Sequence, residues 1–152
     1  MTLYRGMDRA QLDAAYNNSA AVTRSPEWRA KWAADSAALR KARPHRMDIA
    51  FGTTARERLD FYPAERPQAP TLIFIHGGYW QMNDKENFHF IAKGPLAHGI
   101  NVAIVEYTLA PEAAMDRIVA EVRRAVAWLG DHLAELGGEP GRLYVTGHSA
   151  GG

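Results

Sequence analysis

RLYVTGHSAGG, residues Arg142–Gly152, decides how this chain is read. A short apolar run, Leu143 to Thr146, leads into Gly147-His148-Ser149-Ala150-Gly151. Aromatic and β-branched residues in such a run favour a strand. G-x-S-x-G directly after a strand suits a sharp turn with the serine at its apex, opening onto a helix. Both glycines have a steric task there, because the turn forces backbone segments together and a Cβ at either place would clash. The motif alone is weak: with each fixed residue near 7% of an average chain, a chance match in a chain this long has a probability of about 5%. The competing reading is an ordinary glycine-rich turn with a capping serine, and the sequence upstream decides between them.

Two more apolar runs precede it. TLIFIHGG (Thr71–Gly78) is continuous and ends in glycines, the pattern of a strand buried on both faces. NVAIVEY (Asn101–Tyr107) is a second such strand. From Met115 to Leu136, residues Met115, Ile118, Val119, Val122, Val126, Leu129, Leu133 and Leu136 recur at steps of three and four, predicting a helix with one apolar stripe that Gly137-Gly138 stops. Asn83 or Asp84 is placed to cap a helix running to about Lys93, before Gly94-Pro95. Ahead of these, Met47, Ile49 and Phe51, then Leu59 and Phe61, alternate with polar residues across a Gly52-Thr53-Thr54 turn and predict an antiparallel hairpin. The series predicts an α/β fold with right-handed crossovers and a mainly parallel sheet.

Residues 1–45 differ. They are rich in Ala, Arg and Trp and poor in β-branched residues, which favours helix. Asp8 is placed to cap a helix to about Tyr16, broken at Asn17-Asn18-Ser19. Ser25-Pro26 starts another, with Trp28, Trp32, Ala33 and Leu39 as its buried positions, ending before Pro44. The expected organisation is an N-terminal helical arm, 1–45, and an α/β half-domain, 46–152.

Composition narrows the function. With 18 Lys and Arg against 17 Asp and Glu the net charge is +1, without the basic stripe of a nucleic-acid binder. The one basic run, Arg40–Arg46, reads as a solvated helix end. There are no cysteines, which excludes disulfides, zinc thiolate sites and thiol nucleophiles. No apolar stretch approaches the roughly 20 residues of a membrane span, and MTLYRGMDRAQ lacks the apolar core of a signal peptide. The expectation is a cytoplasmic protein with no metal and no cofactor. HGGYW lacks the Lys-Ser/Thr of a P-loop, and no G-x-G-x-x-G opens a helix.

The chemistry gathers at strand ends. His76-Gly77-Gly78-Tyr79-Trp80 follows the first buried strand, at the carboxyl end where ligands bind in open α/β sheets. The N–H groups of Gly77 and Gly78, with that of Ala150 after the serine, are placed to hold a developing oxyanion. Glu106 and Glu112 are expected to organise the loop after their strand. His45, His89, His98 and His132 are expected on loops or helix surfaces, in solvent, and the His148 side chain is expected to point away from its neighbour Ser149.

With HGGYW, GHSAG, YNNSAAV (Tyr16–Val22) and VEYTLAPE (Val105–Glu112) in place, the chain resembles the N-terminal part of an α/β-hydrolase of the esterase/lipase class, closest to kynurenine formamidase-like esterases. That resemblance implies Ser149 as the nucleophile and Gly77, Gly78 and Ala150 as oxyanion donors. It puts Tyr79 and Trp80 beside the acyl or aryl pocket, and gives His76 the role of shaping the oxyanion loop and not of the base. The implied function is hydrolysis of a formamide or short-chain ester by acyl transfer, with no cofactor. The alternatives are a general carboxylesterase, or a catalytically incompetent half-domain acting by association. In this fold the triad acid and histidine follow the serine, and only Ala150, Gly151 and Gly152 follow Ser149. The expectation is therefore a fold truncated after the nucleophile strand, inactive as an isolated chain. Its expected partner is a small-molecule substrate, with either a homo-oligomer or a complementary C-terminal chain as a further partner, and neither nucleic acid nor membrane.

Overall fold

Strand alternation sorts the side chains of this chain into two cores on opposite faces of one sheet. The computed structural model describes residues 2–152. On β3 (Ala69–Ile75) and β4 (Asn101–Val105), Ile73, Ile75, Ala103 and Val105 enter one core, while Phe74, Val102 and Ile104 enter the other. β1 (Arg46–Ala50) and β2 (Arg58–Tyr62) form the expected hairpin, and β5 (Gly138–Gly147) carries the serine motif at its end. The sheet order is β1-β2-β4-β3-β5. The β1–β2 and β2–β4 pairs are antiparallel, and β3 pairs in parallel with both β4 and β5. The parallel trio that holds the motifs is thus flanked by the hairpin in one mixed sheet.

α5 (Met115–His132) covers one face. Its buried positions are Ile118, Glu121, Ala125 and Leu129, while Met115 and Val119 are exposed at 43% and 49%. The apolar stripe is therefore rotated from the expected one, because Glu121 turns inward to accept from the Thr108 N–H (2.8 Å) and hydroxyl (3.0 Å). The helix ends at His132 in a run of turns that Gly137-Gly138 closes, Gly137 at φ +83° and the Gly138 N–H donating to the Leu133 carbonyl (2.9 Å) as β5 begins.

The other face is covered by a 3-10 helix, Lys85–Ala92, running into α4 (Lys93–Ala97). The expected α-helix after Asp84 is thus replaced. Asp84 makes no side-chain cap but accepts from Arg56, and Gly94-Pro95 lies inside α4, where the first turn needs no proline N–H. Leu39, late on α3 (Ser25–Ala42), belongs to this second core. The buried face of α3 runs through Ser36 and Leu39; Trp32 is half-buried, and Trp28 and Ala33, expected inside, are exposed.

The chain divides into two compact units, Met1–Trp32 and Ala33–Gly152. In the first, α1 (Arg9–Tyr16) starts at Asp8 with a reciprocal cap: the Gln11 N–H donates to the Asp8 carboxylate, and the Asp8 N–H to the Gln11 side chain, both at 2.9 Å. Asn17 ends α1 and caps the short α2 (Asn18–Ala21). No helix among the described residues is long and apolar enough to cross a membrane.

Candidate active site

β5 stops at Gly147, and the chain turns so sharply that Ser149 adopts φ +55°, left-handed backbone that costs a serine roughly 1–2 kcal/mol. The turn is held by its own backbone: the His148 N–H donates to the Ile75 carbonyl (3.1 Å), the Gly151 N–H to that of His148 (2.9 Å). A Cβ on Gly147 would run into the Gly151 carbonyl, and one on Gly151 into the carbonyls of Ile75 and His76. Both motif glycines therefore have the steric task the sequence assigns them. Ser149 is exposed at the end of the sheet.

The second motif meets it there. β3 and β5 lie side by side in register, Ile75 opposite Gly147. A Cβ on Gly77 would strike the His148 carbonyl and come within 2.9 Å of the Ser149 Cβ and 3.3 Å of the Ala150 nitrogen. The glycine loop is thus seated against the serine turn, and Gly77, Ser149 and Ala150 are brought together. Gly78 has φ +131°, with Tyr79 and Trp80 at +53° and +58°, so three consecutive residues take positive φ. The turn closes through Gln81 and Met82 N–H groups donating to the Gly78 carbonyl (2.9 and 3.1 Å). Trp80 lines a cavity of about 150 Å³ with Ile75, Tyr107, Val122 and Ala150, whereas Tyr79 lies outside it and is exposed at 48%.

His76 is fully buried. Its ring stacks on Tyr107 (4.5 Å between centroids) and on Phe88 (5.7 Å). Nε2 lies 2.9 Å from Glu106 and Nδ1 2.9 Å from the Gly77 carbonyl. Glu106, buried just beyond β4, also accepts from Arg56 (2.7 Å) and from the backbone N–H groups of Lys85 (3.0 Å) and Tyr107 (3.1 Å). The Tyr107 hydroxyl donates to the His76 carbonyl at 2.8 Å, and burial together with the Glu106 charge pushes this phenol up to about 12, so it stays a donor. Glu106 therefore organises its loop as the sequence reading expected. Arg56 and Asn83, which donates to the Gly77 carbonyl at 2.9 Å, escaped that reading. The one sequence signal was a carboxylate ending an otherwise apolar strand.

The other histidines divide. His45 and His98 are exposed, and His132 is half-buried against Trp128. His89, expected in solvent, is fully buried. Its Nε2 meets Asp60 at 2.7 Å and its Nδ1 meets Arg40 at 3.0 Å, because the 3-10 helix turns it inward over β2. Arg40 is consequently half-buried, unlike the solvated helix end expected of it. Among the described residues no group of three or more Asp, Glu, His or Cys side chains could hold a metal ion.

Residues 59–152 match the family model described as BD-FAE. The chain belongs to the BD-FAE family. Its relatives include a kynurenine formamidase of Danio rerio, 37% identical over 107 residues covering 69% of this chain and 35% of the relative. A carboxylesterase NlhH of Mycobacterium tuberculosis is 34% identical, covering 62% of this chain and 30% of its own. This BD-FAE chain thus spans about a third of the length of the curated relatives it matches. Among solved structures, one from Silicibacter sp. TM1040, provisionally assigned as a thioesterase, superposes with a TM-score of 0.82 at 30% identity, covering 93% of this chain and 52% of that one. The BD-FAE chain therefore has part of an α/β-hydrolase fold and belongs among the esterase-like hydrolases.

Proposed function

We propose that this chain carries the nucleophile and the oxyanion hole of a serine hydrolase that cleaves a formamide or short-chain ester through an acyl-enzyme on Ser149. The observation that carries this reading is the contact of two backbones: Gly77 is seated against Ser149, next to the Ala150 nitrogen, while Ser149 is held at positive φ. The serine oxygen attacks the carbonyl carbon, and the carbonyl oxygen takes up the charge. N–H groups of Gly77, Gly78 and Ala150 receive it, in a setting where one donor is typically worth about 2.7–4 kcal/mol. Collapse releases the amine or alcohol, and water then frees formate or another acid from Ser149. Trp80 and Tyr79 lie beside the acyl or aryl side of the pocket, Trp80 in its lining.

The proton of Ser149 goes to a histidine acting as general base, a role for which His45, His76, His89, His98 and His132 are not placed. His76 is buried with both ring nitrogens engaged, and His89 is tied to Asp60 and Arg40. His45, His98 and His132 sit at the starts of β1 and β4 and before β5, the opposite end of the sheet from Ser149. Similarity to a kynurenine formamidase favours a formamide substrate, and similarity to a carboxylesterase a short-chain ester. The site acts on a small soluble substrate without a cofactor, in the cytoplasm.

An arylboronic acid tests the assignment without needing the base, since boron bonds to the serine oxygen, the hydroxyl proton leaves to solvent, and the tetrahedral boronate places an oxyanion in the hole. Boron NMR is expected to show a tetrahedral adduct with the wild-type chain and none with Ser149→Ala. Equal signals from both would refute the assignment.

A further inference from the structure

The oxyanion loop is held from behind by a buried charge relay that the acyl-transfer scheme does not use. The Gly77 carbonyl receives two donors, Asn83 Nδ2 and His76 Nδ1, each at 2.9 Å. A trans peptide is planar, with its C=O and N–H pointing in opposite directions. Pinning the Gly77 oxygen inward therefore aims the Gly78 N–H outward, away from the buried side. Gly78 has no side chain to help, and at φ +131° it lies where other residues are strained. The direction of this donor is set by what holds its carbonyl.

His76 can hold that carbonyl only as a donor. Its other nitrogen, Nε2, faces Glu106, whose carboxylate is an acceptor. Two acceptors on one ring require a hydrogen on each nitrogen, an imidazolium. The surroundings suit a cation. Glu106 arrives from the end of β4, and Arg56, from the β1–β2 connection, shares that carboxylate and also meets Asp84 at 3.1 Å. Arg56 and His76 thus balance Glu106 and Asp84. The Tyr107 and Phe88 rings cover both faces of the imidazole. A ring so placed cannot serve as a base, and its position follows the carboxylate that holds it.

We propose that Glu106 is a positioning residue for the oxyanion hole: it holds His76 as a buried imidazolium that pins the Gly77 carbonyl and so aims the Gly78 N–H at the reacting oxygen. The inference rests on the serine-hydrolase reading above, and its test separates the two.

Nitrogen NMR of the His76 ring at neutral pH is expected to show a hydrogen on both nitrogens in the wild-type chain, and a neutral ring in Glu106→Gln. Arylboronate affinity of Glu106→Gln is expected to fall about tenfold or more, less than the roughly hundredfold loss in rate when an oxyanion donor is removed outright. A neutral ring in the wild-type chain overturns the proposal, and so does undiminished affinity in Glu106→Gln. If Glu106→Gln does not fold, Asn83→Ala takes its place. That variant removes the second donor to Gly77 without touching the ion pair and leaves His76 as the side-chain donor there; its ring is expected to keep a hydrogen on both nitrogens with boronate binding retained, and a neutral ring or lost binding overturns the proposal. Failure of the serine reading is read separately, as equal boronate binding by wild type and Ser149→Ala, and leaves the ring spectrum to judge the relay.

Discussion

Ser149 is the most constrained residue of the site. Its positive φ is imposed by the seat that Gly147, Gly151 and Gly77 leave for it. An alanine there keeps the strain and a glycine removes it. Ser149→Gly is therefore expected to be more stable than Ser149→Ala by about 1 kcal/mol, read from urea unfolding midpoints, while neither binds boronate covalently. At this scale the sequence was informative. G-x-S-x-G and H-G-G each announce a place where a side chain does not fit, and such places exist only where backbones touch. The roles of Asn83 and Arg56 were not legible. Both are polar residues in loops, and only folding brings them within hydrogen-bond reach of Gly77 and Glu106.

At the scale of elements, β2 and the 3-10 helix are joined by charge as well as by apolar packing. Asp60 is fully buried on β2 and accepts from His89 (2.7 Å), from Lys85 (3.1 Å) and from the Asp48 N–H (2.8 Å). Burial by itself would raise its pKa; the His89 bond, the Asp48 N–H and the Lys85 ammonium outweigh that and lower it. Arg40 can only donate, so His89 accepts at Nδ1 and donates at Nε2 to Asp60. A carboxyl with a depressed folded value contributes stability at pH above its unfolded value, and loses it as pH falls through the folded one. Asp60→Asn is therefore expected to cost about 3–5 kcal/mol near neutrality and to flatten the acid side of the stability profile, measured by urea unfolding from about pH 7 down to about pH 3. None of this could be read from the alternation of β2, which places Asp60 as a polar, outward residue. The 3-10 helix overrides the pattern by bringing a cation and a histidine to cover it. Glu121 tells the same story on α5: periodicity located the helix but not its rotation, because the inward carboxylate answers to Thr108.

The larger unit, Ala33–Gly152, is a sheet with helices on both faces, and this was legible because long apolar runs bounded by glycines leave few alternatives. The strand order could not be read from the runs, since pairing depends on crossovers that periodicity does not encode. β5 lies at one edge of the described sheet, with Tyr144 and Val145 exposed at 54% and 53%. Exposed apolar edges pair with one another. The 152-residue polypeptide is expected to self-associate in a concentration-dependent way by sedimentation velocity, and Val145→Lys to shift it toward monomer; an unchanged distribution would remove the edge as the cause. The registered neighbours β3 and β5 have a mechanical consequence as well. Serine turn and glycine loop are mounted on adjacent rails, tied by the bond from His148 to Ile75. Breathing of the sheet is then a common-mode motion that carries Ser149 and the glycine loop together and leaves their spacing intact. Any group delivered to Ser149 from another element sees the differential motion instead, so under the proposed chemistry thermal softening would blunt proton transfer before it blunted oxyanion binding.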